Sequence, residues 1–222
     1  MVIFYKNYKR SERTFLSIQS VKHLFPELDV RCLFLYDQTY DEYSNVISKF
    51  ESLGIKCYGD QKKYNFNEIS GAGSEYNGFY FTEGINKIQN IMCKFDGKLL
   101  VLDEDSYFTT GITIKFLLEE QYDLAYCNWP SPTLKHPIGI NGSVISFNPK
   151  KIMNVFPLPE KKEYIEDLLG VNLYDKCLSQ NFKVVKIPTR DYVNYFEDGR
   201  HTNDINEIKN DLIKYKIEFK EL

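Results

Sequence analysis

The amino-acid sequence predicts an α/β fold on a largely parallel sheet, and three features lead there. Short runs such as Val30 to Tyr36 (VRCLFLY) and Lys98 to Leu102 (KLLVL) are apolar almost without interruption, as strands covered on both faces are. Segments with apolar residues at helical spacing separate those runs, the alternation that crossover helices between parallel strands require. Proline or glycine stands at several joints, at Pro26, Gly54 and Pro188.

Taken in order, Val2 to Tyr5 is the first expected strand. A helix opens near Ser11, carries Phe15, Ile18, Val21 and Leu24 on one face, and ends at Pro26. The second strand, Val30 to Tyr36, runs into Asp37; Asp41 to Leu53 is the second helix, and Ile55 to Tyr58 a short third strand. Lys62 to Gly78 is polar and contains Gly71-Ala72-Gly73-Ser74, which reads as a long loop of the kind that often carries function. A helix from Phe79 to Cys93 leads to the strand Lys98 to Leu102, and that strand delivers Asp103-Glu104-Asp105. Ile112 to Glu120 follows as a helix and Leu124 to Asn128 as a strand, before the turn-rich Trp129-Pro130-Ser131-Pro132. Gly142 to Phe147 has strand character, Pro149 to Ile152 fits a helix start, and two helices separated near Gly170 are expected next, the second from Asn172 to Ser179. Phe182 to Ile187 is the last expected strand, Thr189 to Asn203 a polar loop, and Asp204 to Tyr215 an amphipathic helix.

Composition narrows the functions. A chain of 222 residues, 43% hydrophobic, can bury the core of one large domain. The formal charge of -3, with 28 basic residues interleaved among 31 acidic ones, offers no broad basic field for nucleic acid. The five cysteines are widely spaced and mostly sit in apolar runs, as reduced core thiols do. No run approaches the ~18 apolar residues of a membrane span, and the opening Met1-Val2-Ile3-Phe4-Tyr5 is too short for a signal peptide. A soluble cytoplasmic protein is the expectation.

The chemistry concentrates at Asp103-Glu104-Asp105. Apolar residues followed at once by carboxylates place the charges at the carboxyl end of a strand, the edge where open α/β sheets bind ligands. Carboxylates this close repel one another, and a cation or basic neighbours resolve the repulsion. Oxygen donors suit Mg2+ or Mn2+, which commonly reach a protein through one or two carboxylates while substrate phosphates fill other positions. An exposed acidic turn would carry the same residue types.

Around this triplet the chain resembles the GT-A glycosyltransferases, in particular the small single-domain kind found in bacteria and large DNA viruses, whose Asp-x-Asp motif follows a strand as in Leu100-Val101-Leu102-Asp103-Glu104-Asp105. Met1 to Ser20, with Arg13, resembles their opening strand and helix; Glu83-Gly84-Ile85 resembles the helix before the motif strand; Ile140 to Asn148 (INGSVISFN) resembles the strand lining their acceptor side. These short matches are scattered over most of the chain. The resemblance implies a Rossmann-like sheet in a single domain, with about residues 1–106 forming the nucleotide-sugar-binding half and about 107–222 the acceptor-binding half. It implies transfer of a sugar from a nucleotide diphosphate sugar, UDP-linked by preference, to a glycan or other hydroxyl acceptor, with Mn2+ or Mg2+. Asp105 would bind the metal directly, Asp103 would reach the ribose or the metal through water, Glu104 would shape the turn, and His201 would be the third protein ligand.

Other residues have candidate roles beside ordinary structural ones. A base could stack on Tyr5 or Tyr8 and hydrogen-bond Asp37 while Arg13 meets phosphate; Asn7 belongs to the same stretch. Asn77 and Lys87 are candidates for ribose or phosphate contact, and Arg200 for the pyrophosphate. Trp129, with His136 after it, offers an aromatic face to an acceptor sugar, and Asn141 a polar contact. A general base is needed if the reaction inverts the anomeric centre; Glu166-Asp167 resembles the pair of inverting families and Asp191 is the second candidate. The Asn141-Gly142-Ser143 strand looks more like retaining families, so stereochemistry stays open. Two alternatives remain beside this reading. A nucleotidyltransferase would place a Gly-rich basic loop after the first strand, where Lys6-Asn7-Tyr8-Lys9-Arg10 has no glycine. A non-catalytic nucleotide-sugar-binding module would keep the fold without turnover.

Overall fold

The inner strands of the central sheet alternate side chains between two covered faces, which is why their sequences read as apolar runs and not as a polar/apolar alternation. In β1 (Val2–Asn7), Ile3 and Tyr5 enter one core with Cys32, Phe34, Leu100, Leu102 and Val144, packed under α1 (Ser11–Leu24). Val2 and Phe4 enter the other with Leu33, Leu99, Val101, Ile145 and Phe147. The computed structural model describes residues 1–7, 10–35, 43–59, 84–128, 140–152, 166–188, 198–202 and 204–222.

The remaining elements follow in chain order. β2 is Asp29–Phe34, α2 Ser44–Ser52, β3 Lys56–Gly59, and α3 the helix at 84–92. β4 (Leu99–Asp103) and β5 (Ser106–Phe108) flank the acidic turn; α4 (Ile112–Glu119) and β6 (Leu124–Asn128) come next. β7 (Ile140–Phe147), α5 (Glu166–Ser179), β8 (Val184–Lys186), β9 (Gly199–His201) and α6 (Ile205–Lys214) complete the description. The main sheet has seven strands in the order β3-β2-β1-β4-β7-β6-β8. All its described pairings are parallel except those of β7, which runs antiparallel to both β4 and β6. Strands from both sides of residue 106 therefore share one sheet.

Several expectations are corrected. β1 does not stop at Tyr5, because Lys6 and Asn7 continue its register against Leu33 and Phe34. The two helices expected around Gly170 are one helix, α5, since an interior glycine costs a helix only about 1 kcal/mol and packing on β7 outweighs that. Pro149 to Lys151 form a turn, closed by the Ile152 amide donating to the Asn148 carbonyl at 2.9 Å. The small antiparallel sheet of β5 and β9 was not expected at all. The Lys62 to Gly78 loop lies outside the described residues.

Helix α1 is buried on nearly every side, from Thr14 to Val21, because it lies between the main sheet and a third cluster of Leu16, Tyr107, Ile208, Leu212 and Ile217. Its buried polar side chains, Thr14, Ser17, Gln19 and Ser20, are bonded internally; Ser20 Oγ accepts from the Phe108 amide at 3.1 Å, so α1 carries β5. Helix α4 is held at both ends. Lys98, just before β4, donates to the Leu117, Leu118 and Glu120 carbonyls at 2.7–2.8 Å, a cation at the negative end of the helix. At the other end Gly111 has φ +81, and a Cβ there would meet the Phe25 ring at 2.6 Å. We expect Gly111→Ala to destabilise the fold by about 2 kcal/mol or more, combining left-handed strain with overpacking. Gly54→Ala, at φ +74 with nothing within 4 Å, should cost only the backbone term. Urea unfolding of the two variants separates the contributions.

Candidate active site at the switch point

The sheet order decides where a ligand-binding crevice forms. The chain goes from β1 outward to β2 and β3, then returns to place β4 on the other side of β1. The carboxyl ends of β1 and β4 thus diverge in their onward connections, which is the topological switch point of an open α/β sheet. Asn7, Asp103 and Asn128 all end strands on this edge, and the start of β7 reaches it too because β7 is reversed.

Asp103 is the last residue of β4, Glu104 and Asp105 make a turn, and β5 begins at Ser106. The turn is fixed from below. Tyr5 Oη donates to the Ser106 carbonyl at 2.9 Å and lies 3.2 Å from that of Ser17, while Ser17 Oγ donates to the Glu104 carbonyl at 3.3 Å. Glu104 and Asp105 are buried, at 6% and 1% exposure. The carboxylates have basic neighbours: Lys6 Nζ lies 2.7 Å from Asp103 Oδ1, and the Arg10 guanidinium 3.5 Å from Glu104 and 3.9 Å from Asp105. Arg10 is 47% exposed, so it can turn toward a ligand.

The β5–β9 pair brings a second segment to the turn. Ser106 stands opposite His201 and Tyr107 opposite Arg200, so the His201 backbone lies one residue from Asp105's partner position. Asp198, buried at 6% exposure, anchors this segment. Its carboxylate accepts from the Thr113 amide at 3.2 Å, Thr113 Oγ1 at 2.6 Å and Thr110 Oγ1 at 3.2 Å. Its carbonyl accepts from the Thr109 amide at 2.8 Å and from the Thr109 hydroxyl. Gly111, at the N-cap of α4, has no side chain to cap the helix, and Asp198 supplies the carboxylate from outside it.

No protein-family model and no curated protein matches the sequence. Solved structures match in fold. The galactosyltransferase LgtC, in complex with donor and acceptor sugar analogs, aligns at TM-score 0.50 and 14% identity over 84% of this chain and 73% of that one. The Streptococcus pneumoniae TIGR4 glycosyltransferase GlyE aligns at TM-score 0.51 and 13% identity, over 99% and 66%. The inositol-1-phosphate CTP transferase from T. maritima aligns at TM-score 0.54 and 12% identity, over 99% and 97%. The chain has the GT-A fold. At these identities the likeness speaks to architecture.

Within the GT-A sheet the expected site residues divide. Asp103, Glu104 and Asp105 lie together at the switch point, with the backbones of Arg200 and His201 beside them on β9. Tyr5 is corrected: it is fully buried and bonded beneath the turn, so it cannot stack on a base, and burial pushes its hydroxyl pKa well up. Asn7 is buried as well; its amide oxygen accepts from Thr14 Oγ1 at 2.7 Å, which ties β1 to α1. Arg13 is half-buried on α1 and Lys87 half-buried on α3. The backbone of Asn141 lies at the reversed start of β7, and that of Glu166 and Asp167 in the first turn of α5. Tyr8, Asp37, Asn77, Trp129, His136 and Asp191 lie outside the described residues. Lys6, Arg10 and Asp198 were not singled out from sequence. Burial pushes the Cys57 thiol up to about 12 and Cys177 to about 11, and raises Cys32 and Cys127 too, so none of these is a ready nucleophile.

Proposed function

We propose that this chain is a glycosyltransferase that moves a sugar from a nucleotide diphosphate sugar, UDP-linked in the first instance, to a glycan or other hydroxyl acceptor, assisted by Mn2+ or Mg2+. The acidic turn at the switch point of a GT-A sheet carries this reading. Among the described residues no three His, Cys, Asp or Glu side chains gather closely enough to enclose a metal. The donor set suits instead an open site, in which one or two carboxylates meet a hard cation and diphosphate oxygens and water supply the rest.

Asp105 is the direct ligand in this scheme, His201 joins it from β9, and Asp103 orients the ribose or a bound water. The ion would offset charge on the diphosphate as the glycosidic bond breaks. Arg10 adds a second cation on the exposed side of the turn, where a diphosphate would lie. The rigid support from Tyr5 and Ser17 keeps the carboxylates in place before the donor arrives. On the acceptor side, Trp129, His136 and Asn141 are the sugar contacts, and Glu166, Asp167 or Asp191 the base if the reaction inverts.

The test is a panel of UDP- and GDP-sugars with millimolar Mn2+ or Mg2+, read by calorimetry and by release of nucleoside diphosphate. Metal-dependent hydrolysis or transfer with one donor is the expected result. No binding across the panel sinks the proposal, and binding without turnover on any acceptor points to a binding module. Because the CTP transferase matches nearly end to end, the panel also includes CTP with sugar phosphates. Pyrophosphate release in that arm would make the chain a nucleotidyltransferase.

A further inference from the structure

Lys6 carries a charge into the middle of the sheet. It is the penultimate residue of β1, and it is 1% exposed. An ammonium removed from water needs close compensation. Asp103 provides it: the two are register partners on adjacent parallel strands, and Nζ lies 2.7 Å from Oδ1. The stem is housed as well. A Cβ on Gly84, at the start of the described part of α3, would come within 2.9 Å of Lys6 Cδ and 3.1 Å of Leu35 Cδ1. The absence of a side chain at Gly84 is what leaves the lysine its path to Asp103.

An apolar residue would satisfy the packing of β1 at this position, so the ammonium calls for a reason beyond stability. The ammonium offsets the charge of Asp103 through its buried Oδ1 and so weakens that carboxylate as a donor to a cation. Its charge also opposes a divalent cation anywhere on the cluster. The geometry points to Lys6 as the residue that sets metal affinity in this site: it offsets the charge of Asp103 and leaves Asp105 as the stronger carboxylate donor to the ion. A metal then binds firmly only together with a nucleoside diphosphate, whose oxygens complete the coordination. This rests on the proposed donor site and refines it, because it gives the unequal roles of the two aspartates a physical cause in the Lys6 ammonium.

Mn2+ titrations of the full chain, followed by the electron-spin signal of the hydrated ion with and without UDP, test it. Wild-type protein should take up Mn2+ weakly alone and more tightly with UDP. Lys6→Met should raise affinity for Mn2+ alone at least about tenfold, as removal of a fixed positive charge beside the ion would. Adding Asp103→Asn to Lys6→Met should cancel the gain, because the carboxylate released by the first change is then neutral. Should Lys6→Met fail to fold, Gly84→Ala, which displaces the stem and keeps the charge, should give a smaller gain in the same direction. Unchanged or weakened Mn2+ uptake in the folded variant overturns the assignment. A wild-type protein that takes up Mn2+ neither alone nor with UDP counts against the donor site itself; a gain in Lys6→Met would still uphold the role of Lys6.

Discussion

Asp105→Asn should abolish metal-dependent donor binding and lower turnover by at least about a hundredfold, while the folded state survives. The carboxylate is 1% exposed, in a turn whose backbone is fixed by Tyr5 and Ser17, so the substitution exchanges one atom in a held frame. Asparagine keeps the volume and can still accept a hydrogen bond, and it removes one of three like charges crowded into adjacent positions. Thermal unfolding should therefore be unchanged or shift upward, although the Arg10 guanidinium at 3.9 Å loses an attractive partner. Arg10 is half exposed, which keeps that loss small. The deciding measurement is UDP-sugar calorimetry at fixed Mn2+, with melting followed in parallel. Donor affinity equal to wild type would remove Asp105 from the metal site. A collapse of the melting temperature would mean instead that the carboxylate serves the turn.

The parts of the fold that could be read in the sequence are those whose stability is local or whose burial is two-sided. β4 and β6 announce themselves because each is buried on both faces, and α1 and α6 because their ends and spacing agree with a helix. β5 and β9 gave no such signal. Each is three residues long, one directly after an acidic turn and the other in a polar loop, and each exists through its pairing with the other. Lys6 was hidden for a related reason: a lysine after an apolar run looks like the end of a strand, and only the register reveals Asp103 beside it. Tyr5 misled in the opposite sense. An aromatic ring near a ligand-binding edge suggests stacking, yet its hydroxyl finds two carbonyls beneath the turn and the ring goes with it. The acidic triplet itself was legible because a carboxylate cluster on an apolar strand conflicts with burial, and such conflicts mark sites.

Asp198→Ala carries the largest expected cost to stability, about 2–4 kcal/mol, since it strips a buried helix cap and leaves polar groups unanswered. The Thr113 amide and hydroxyl lose their acceptor inside the protein, and Thr110 loses a third bond. Asp198→Asn should cost less, because the amide oxygen can still receive from Thr113 while the charge at the helix start is lost. The consequence reaches the site because Asp198 directly precedes β9. Loosening it frees β9 from β5, and with it the segment that carries His201 beside the turn. Mn2+ affinity in the presence of UDP should then fall about tenfold in Asp198→Ala. The fall should disappear when His201 is already alanine, for a positioning residue has nothing left to position. Equal losses in both backgrounds would show that Asp198 acts on the acidic turn through α4 and β5, without passing through His201.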